Sequence, residues 1–357
     1  MLAGDKPGDN AQCLSLSAAL GWPTEIKQLR YVDLGRSPFR PFGERRFALD
    51  SAASSPLGPP WPDLVIGCGR RSVPIAWEIR KRAGSATRLV QFGRPRADLA
   101  IFDLVVTSSQ YRLPNHPNVL HLALPLHSVD HEAWALAGAE WAPRFALLPR
   151  PHIALLVGGT AKPFVLDVPA ARRLTEQAKA LVRAEGGSLL VSTSRRTPQA
   201  CAQAICDSLD VPAFIHRWTP AGGPNPYQAY LALADAFVVT GDSASMLADA
   251  CSTGRRLWIA ELPMHRTLRS HAKNLVRRSL LAPGGHGRAS TGPLARLTSK
   301  VMARGWVRYP RDLRQLHVAL IETGRALPLG RAFLTPPPPP PPPDEAEKVA
   351  SRVRALF

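Results

Sequence analysis

The stretch NPYQAYLALADAFVVTGDSASMLADACSTG, residues Asn225–Gly254, governs the reading of the whole chain. It begins with an apolar helical pattern and passes into a short buried strand ending at Val238-Val239-Thr240. It then turns through small polar residues and resumes as a helix. A strand–turn–helix of this kind aims backbone N–H groups and the positive end of a helix dipole at one point. Gly241, Ser243 and Ser245 stand at that point, and Asp249 follows one to two turns into the helix. A cradle for an anion with a carboxylate close by suits a ligand carrying both phosphate and sugar hydroxyls, such as a nucleotide-sugar.

On either side of this segment, apolar runs ending in turn residues alternate with helical patterns, which predicts parallel α/β units. Strands are expected upstream at His152–Val157, Ser188–Ser192 and Ala213–His216, with helices over Ala170–Ala184 and Pro198–Leu209. A strand at Arg256–Ile259 follows. The first half reads as strands at Glu25–Leu29, Leu64–Ile66, Arg88–Phe92, Leu104–Thr107 and Val119–Leu122, with helices over Asn10–Leu20 and Pro74–Ala83. Between the two series lies WAPRFALLPRP, Trp141–Pro151, a hinge with three prolines in eleven residues. The simplest architecture is α/β, with two successive Rossmann-like domains over 1–145 and 152–330. Only Met1-Leu2-Ala3 precede Gly4, so either the first strand is very short or the true start lies upstream.

At 357 residues the chain is long for a single core, which agrees with two domains. A hydrophobic content of 45% and a charged content of 20% are ordinary for a folded globular protein. The net charge of +18 comes from 37 arginines and only eight lysines set against the acids. Such a balance favours anionic partners: phosphorylated substrates, an acidic membrane surface, or nucleic acid. Nucleic acid is the weakest of these, because no helix-turn-helix, zinc-finger or aromatic stacking signature is present. Cys13, Cys68, Cys201, Cys206 and Cys251 are odd in number and form no CxxC pair, so they read as buried thiols in a reducing compartment. No signal-peptide pattern opens the chain, and no apolar run approaches the roughly 20 residues a bilayer span needs. The expected location is cytoplasmic, with peripheral membrane contact as the alternative.

Several other loops carry polar groups at strand ends. Gly4-Asp5-Lys6-Pro7-Gly8-Asp9-Asn10 leads into the first helix, where Asp9 or Asn10 serves as N-cap or Asp9 acts as general base for an acceptor hydroxyl. Gly67-Cys68-Gly69-Arg70-Arg71-Ser72 comes close to GxGxxG after the strand at Leu64–Ile66. A dinucleotide site would need an acid at the end of the next strand, and Gln91-Phe92-Gly93 stands there instead. The loop is then either an anion or acceptor site using Gly67, Gly69, Arg70 and Arg71, or a tight turn. In the second half, Gly158, Gly159 and Lys162 follow a strand without P-loop spacing. Ser192-Thr193-Ser194-Arg195-Arg196-Thr197-Pro198 closes another strand, with Thr197 as N-cap and Pro198 at N1. Ser194, Arg195 and Arg196 make that loop a concentrated anion-binding cluster, the alternative being that its arginines are simply solvated. His121 and His127 are weaker candidates.

The tail carries eight prolines, Pro336–Pro343, expected to form a stiff polyproline II linker. In the following DEAEKVASRVRALF (344–357), Ala346, Val349, Val353 and Leu356 fall at helical spacing, with acids first and bases last. The apolar face suits docking on the chain itself, on a partner or on a membrane. HExxH, GxSxG and DxD are all absent, which removes the usual signs of zinc proteases, α/β-hydrolases and metal-dependent nucleotide-sugar chemistry.

Six segments together carry a resemblance: GDKPGDNAQCLSLSAALG, PDLVIGCGRRSVPIAWEIRKR, FDLVVTSSQYRLPNHPNVL, LLVGGTAKPF, LLVSTSRRTP and NPYQAYLALADAFVVTGDSASMLADACSTG. They are similar to the plant mitochondrial-fission (elongated-mitochondria) protein family, whose bacterial members are generally described as candidate glycosyltransferases. The resemblance implies a GT-B arrangement, two Rossmann-like domains facing across a cleft with the donor held mainly by the second. It implies no metal or other cofactor. It places Asp249 where a carboxylate, more commonly Glu, holds the ribose, and it makes Arg195 and helix N-termini the groups that stabilise a departing diphosphate. It also favours packing of the final helix on the protein over membrane anchoring.

The resulting expectation is a metal-independent glycosyltransferase that moves a sugar from a nucleotide-sugar to an envelope or lipid-linked acceptor. Asp9 and Arg195 are the candidate catalytic residues. Gly158, Gly159, Lys162, Ser194, Arg196, Gly241, Ser243, Ser245 and Asp249 are the candidate donor contacts. The alternatives are a non-catalytic scaffold that recruits membrane-remodelling machinery, and a nucleotide-linked oxidoreductase or epimerase.

Overall fold

A computed structural model describes residues 1–36, 45–111, 113–126, 130–264, 312–339 and 344–357. His127 and the linker positions 340–343 lie outside the described residues. The chain divides into two compact units. The first includes residues 1–126, Asp312 and 344–357, and the second includes 130–264 and 313–339.

The first unit opens with β1 (Leu2–Ala3) and α1 (Pro7–Leu20), then β2 (Lys27–Gln28), parallel to β1. An antiparallel pair follows, β3 (Tyr31–Arg36) and β4 (Arg45–Leu49). The main sheet is β5 (Leu64–Cys68), β6 (Arg88–Phe92), β7 (Leu104–Ser108) and β8 (Val119–Leu122), parallel throughout and in that spatial order. Helix α2 (Gly69–Arg82) connects β5 to β6. β1 lies alongside β5. The chain therefore runs from β1 by α1 to β2 on one side and, from β5 onward, in the other direction. The short first strand is thus present, paired Leu2 to Lys27 and Ala3 to Gln28.

The tail helix α9 (Asp344–Arg354) belongs to this unit. Val349, Ala350 and Val353 are fully buried against Cys13, Leu16 and Leu20 of α1. Burying a valine stabilises by on the order of 1.5–3 kcal/mol, enough to seat a three-turn helix. Of the three docking surfaces open to this face, the chain's own unit is the one it covers.

The second unit begins with α3 (His131–Phe145), not after Pro151. The predicted boundary at 145 is corrected because the helix runs through Pro143 and buries its far end here. Trp141 and Phe145 pack on Phe214, and Phe145 also packs on Tyr230. The sheet comprises β9 (His152–Val157), β10 (Ser188–Thr193), β11 (Ala213–His216), β12 (Ala236–Thr240), β13 (Arg256–Ala260) and β14 (Leu327–Pro328). All six are parallel, in the order β11-β10-β9-β12-β13-β14. Every residue of β9, β10 and β12 is buried, as strands covered on both faces require.

The covering helices of this unit are α4 (Val168–Glu185), α5 (Gln199–Asp207), α6 (Tyr227–Leu233), α7 (Ala244–Ser252) and α8 (Leu313–Glu322). Their ends follow local chemistry. Asp167 caps α4 by accepting the Ala170 N–H at 2.8 Å, and Gly186 closes it in the left-handed region at φ 73°. Strand order 3-2-1-4-5-6 is that of a nucleotide-binding Rossmann sheet, and its direction of winding reverses between β9 and β12. Among the described residues no helix is long and apolar enough to cross a membrane.

Candidate functional site

In open parallel sheets, ligands bind outside the carboxyl ends of the strands where the winding reverses. In the second unit this point lies beyond β9 and β12, with the β10 loop beside it. The three loops are stitched together. Ser194 Oγ and Thr197 Oγ1 donate to the Gly158 carbonyl at 2.5 and 2.6 Å, and the Ser194 N–H donates to Thr197 Oγ1 at 2.9 Å. The Gly158 N–H donates to Thr240 Oγ1 at 2.8 Å. Gly158, Gly159, Ser194, Arg196, Gly241 and Ser243 are thus brought to one place.

The centre of that place is Asp242, which the sequence reading passed over. Its side chain is fully buried. Oδ2 accepts from the Gly159 N–H at 3.0 Å and from Arg196 Nη1 at 2.5 Å, while buried Oδ1 has no hydrogen-bond partner among the described residues. Both glycines are dictated by this approach. A Cβ on Gly158 would sit 2.5 Å from Asp242 Oδ1, and one on Gly159 would sit 2.0 Å from the Arg196 carbonyl oxygen.

Several expected anion donors are therefore already committed. The Gly241 N–H bonds the Ala260 carbonyl at 2.9 Å, and the Gly241 carbonyl accepts from His317 Nε2 at 2.7 Å. Arg196 faces the chain's own carboxylate. Arg195 and Lys162 are exposed. Ser243 is the N-cap of α7 but makes no side-chain cap bond, and Ser245 is exposed in the first turn. The first-turn amides of α7 have no acceptor within the helix. Asp249 accepts from the Tyr227 hydroxyl at 2.6 Å. Burial, reinforced by the Asp249 charge, pushes the Tyr227 phenol well above its usual range, so it stays a donor. The predicted cap at Thr197 shifts by one, since α5 starts at Gln199 with Pro198 as N-cap and Thr197 ties the loops.

The first unit has its reversal point between β1 and β5, and there the Gly4–Asn10 loop meets the start of α2. A cavity of about 230 Å³ lies between them, lined in part by Asp5, Lys6, Asp9, Tyr31, Arg70 and Arg71. Two sequence expectations change here. Helix α1 starts at Pro7 with Lys6 as N-cap, so Asp9 lies in its first turn and Asn10 instead exchanges two 2.9 Å bonds with the Gly4 backbone. Helix α2 starts at Gly69, not near Pro74, so Arg70, Arg71 and Ser72 form its first turn. Gly67 is within β5, where Ser72 and Gln91 press close enough to exclude a Cβ. Gln91, standing where a ribose-binding acid was sought, bonds the Gly69 carbonyl at 2.9 Å.

Asp9 lies against Gly69, 3.3 Å from where a Cβ would be, and 3.6 Å from Lys6 Nζ. Asp5 pairs with Arg71, whose guanidinium sits 4.8 Å above the Tyr31 ring. Burial and then the Asp9 charge push the Cys68 thiol up, which keeps it protonated and unreactive. Burial lowers the pKa of His121, which lies on β8 away from this cavity lining. Tyr31, Tyr227, Gln91, Asp242 and His317 are the residues that sequence reasoning missed. Only Asp242 had a local sign, an acid wedged between a buried strand end and a capping serine.

The family model for Mitochondrial fission ELM1 matches residues 7–301. The chain belongs to that family. It is 31% identical over 220 residues to Mitochondrial fission protein ELM1 of Arabidopsis thaliana, an alignment covering 56% of this chain and 51% of the plant protein. The chain thus spans about half the length of that relative. It is 25% identical over 304 residues to protein RP120 of Rickettsia prowazekii (strain Madrid E), covering 75% of this chain and 84% of that one. Among solved structures, the S. aureus MnaA–UDP co-structure is similar at a TM-score of 0.46 and 11% identity, with 99% and 95% of the two chains covered.

Proposed function

We propose that this family member is a glycosyltransferase of GT-B type, taking a sugar from a nucleotide-sugar and passing it to a glycan or lipid-linked envelope acceptor. The observation that carries the reading is the reversal point of the second unit, where three strand-end loops and the start of α7 meet beside Arg195 and Asp249. The α7 amides, Ser243, Ser245 and Arg195 hold the donor phosphates, Ser194, Gly158 and Gly159 shape the floor, and Asp249 holds the ribose. Asp9 takes the acceptor hydroxyl's proton as that oxygen bonds the anomeric carbon. The bond to the nucleoside diphosphate breaks, and Arg195 with the helix dipole stabilises the charge that leaves. Lys162 and Arg196 stand further from this role, the first by exposure and the second by its bond to Asp242.

Thermal stabilisation by a broad nucleotide-sugar panel tests it. A shift that Arg195→Ala abolishes supports donor binding. No shift with any donor, and no change in Arg195→Ala, overturns it. A second reading is a non-catalytic scaffold recruiting membrane-remodelling machinery, in line with the plant relative's name. The buried Asp242 favours it, because that carboxylate already spends Arg196 and the Gly159 amide. Bound partner without any donor shift separates this reading from the first.

A further inference from the structure

We propose that the cavity between α1 and α2 binds a small phosphate-bearing polyol, and that Asp5 is an internal stand-in which the phosphate displaces from Arg71. At about 230 Å³ the cavity falls below the ~300–1,000 Å³ of drug-sized ligand sites, so it suits a phosphorylated monosaccharide or a lipid headgroup rather than a nucleotide-sugar. It sits where the winding of the first unit reverses, the position at which open α/β sheets take ligands. Arg71 is held ready for an oxyanion: the Tyr31 ring supports its guanidinium face, and its Nη2 already donates to a carboxylate oxygen of Asp5. That carboxylate is easily exchanged, because the Asp5 side chain is 53% exposed. Burial alone would raise the Asp5 carboxyl, yet the bond to Arg71 and its charge hold it below the usual range, so the stand-in is anionic at neutral pH.

A monoanion would only replace Asp5. A phosphate dianion also meets Lys6 and Arg70 in the cavity lining, which favours phosphate over carboxylate. Burial pushes the Tyr31 phenol up to about 12, leaving its O–H as a donor at neutral pH. Asp9, one-third exposed beside the same space, accepts from a ligand hydroxyl, which calls for a polyol. The ligand's role as acceptor rests on the transferase reading; its binding does not.

Calorimetry on the full chain tests the assignment with glucose 1-phosphate, glucose, and vesicles of phosphatidylglycerol or phosphatidylcholine. Glucose 1-phosphate should bind and glucose should not. Asp5→Asn should tighten binding several-fold by removing the competitor, Arg71→Gln should weaken it about ten-fold or more, and Lys6→Gln should weaken it a few-fold. If phosphatidylglycerol vesicles, and not the free sugar phosphate, follow this variant series, the phosphate belongs to a lipid headgroup and the assignment stands. Failure of every probe to bind overturns it, as does unchanged affinity in both Asp5→Asn and Lys6→Gln, whose exposed side chains leave folding out of question. The nucleotide-sugar panel is read separately. Phosphate binding without a donor shift sinks the transferase reading alone, and a donor shift without phosphate binding sinks this one alone.

Discussion

At the reversal point of the first unit, Asp9 stands over Gly69 with one-third of its side chain exposed and a cavity beside it. At that of the second, Asp242 stands over Gly158 and Gly159 with none of its side chain exposed. Each unit thus sets one of its own carboxylates against a strand-end glycine, at the place where such sheets receive ligands. The first carboxylate keeps company with room and with replaceable ion pairs. The second is sealed by Arg196 and a backbone amide, with one oxygen unpartnered among the described residues. The lesson is that one topology yields an open site or a filled one according to how closely the loops are stitched.

Alanine at the two floors gives the largest test. In Gly159→Ala the new Cβ meets backbone, which cannot swing aside, so stability should fall by about 3 kcal/mol or more in urea unfolding. Gly69→Ala meets only the end of a side chain, and its φ of +72° costs about 1–2 kcal/mol. Equal losses would break the contrast between a sealed and an open floor.

Removing the carboxylate charges comes next. Asp242→Asn keeps an acceptor for Gly159 but loses the Arg196 pair, and should cost about 1–3 kcal/mol. Arg196 limits the loss, since its partly exposed side chain can hydrate. Asp9→Asn, at a partly exposed pair with Lys6, should stay within about 1 kcal/mol. A reversed order in chemical denaturation would mean that the first unit is the one whose carboxylate supports the fold.

How much of this was legible beforehand follows the range of the interactions. Strands β6, β8, β9 and β11 lie where their apolar runs and flanking turn residues put them, and in β6 and β9 burial on both faces writes itself into consecutive positions. The start of α2 was misplaced because Pro74 looks like a first-turn proline. The helix begins five residues earlier, where Ser72 and Gln91 hold the Gly69 carbonyl across the strand end. Helix α3 is masked in the sequence by Pro143 and the prolines that follow it, and its assignment depends on rings about 70 residues or more away. At the sites, glycines and hydroxyls were readable as strand-end chemistry. Their occupancy was not: whether the Gly159 amide faces a ligand or Asp242 is decided by a residue 83 positions on.

Tyr227 offers a smaller test on the second unit. Tyr227→Phe should cost about 1 kcal/mol near neutral pH and leave Asp249 without this donor. The folded phenol holds its proton more firmly than the unfolded one, so its contribution is full below about pH 10 and is lost as pH rises through the folded value. The variant should therefore show a shallower alkaline loss of stability. Part of that loss should persist, because Tyr31 and Tyr230 are also raised by burial.

Asp5→Asn carries the smallest stability change and tests the first unit from the other side. The folded carboxyl is held below its ordinary value, so its contribution is present above about pH 4 and disappears as pH falls through the folded value. An ion pair exposed on one partner is worth no more than about 1 kcal/mol, and salt shrinks it. The variant should thus differ from the parent by less than that at pH 7 and converge with it in acid. If Asp5 serves only the fold, a small loss of stability is all that follows. If it holds the place of a phosphate, the same substitution that weakens the fold slightly must strengthen phosphate binding, and a structural role alone does not produce that opposition of signs.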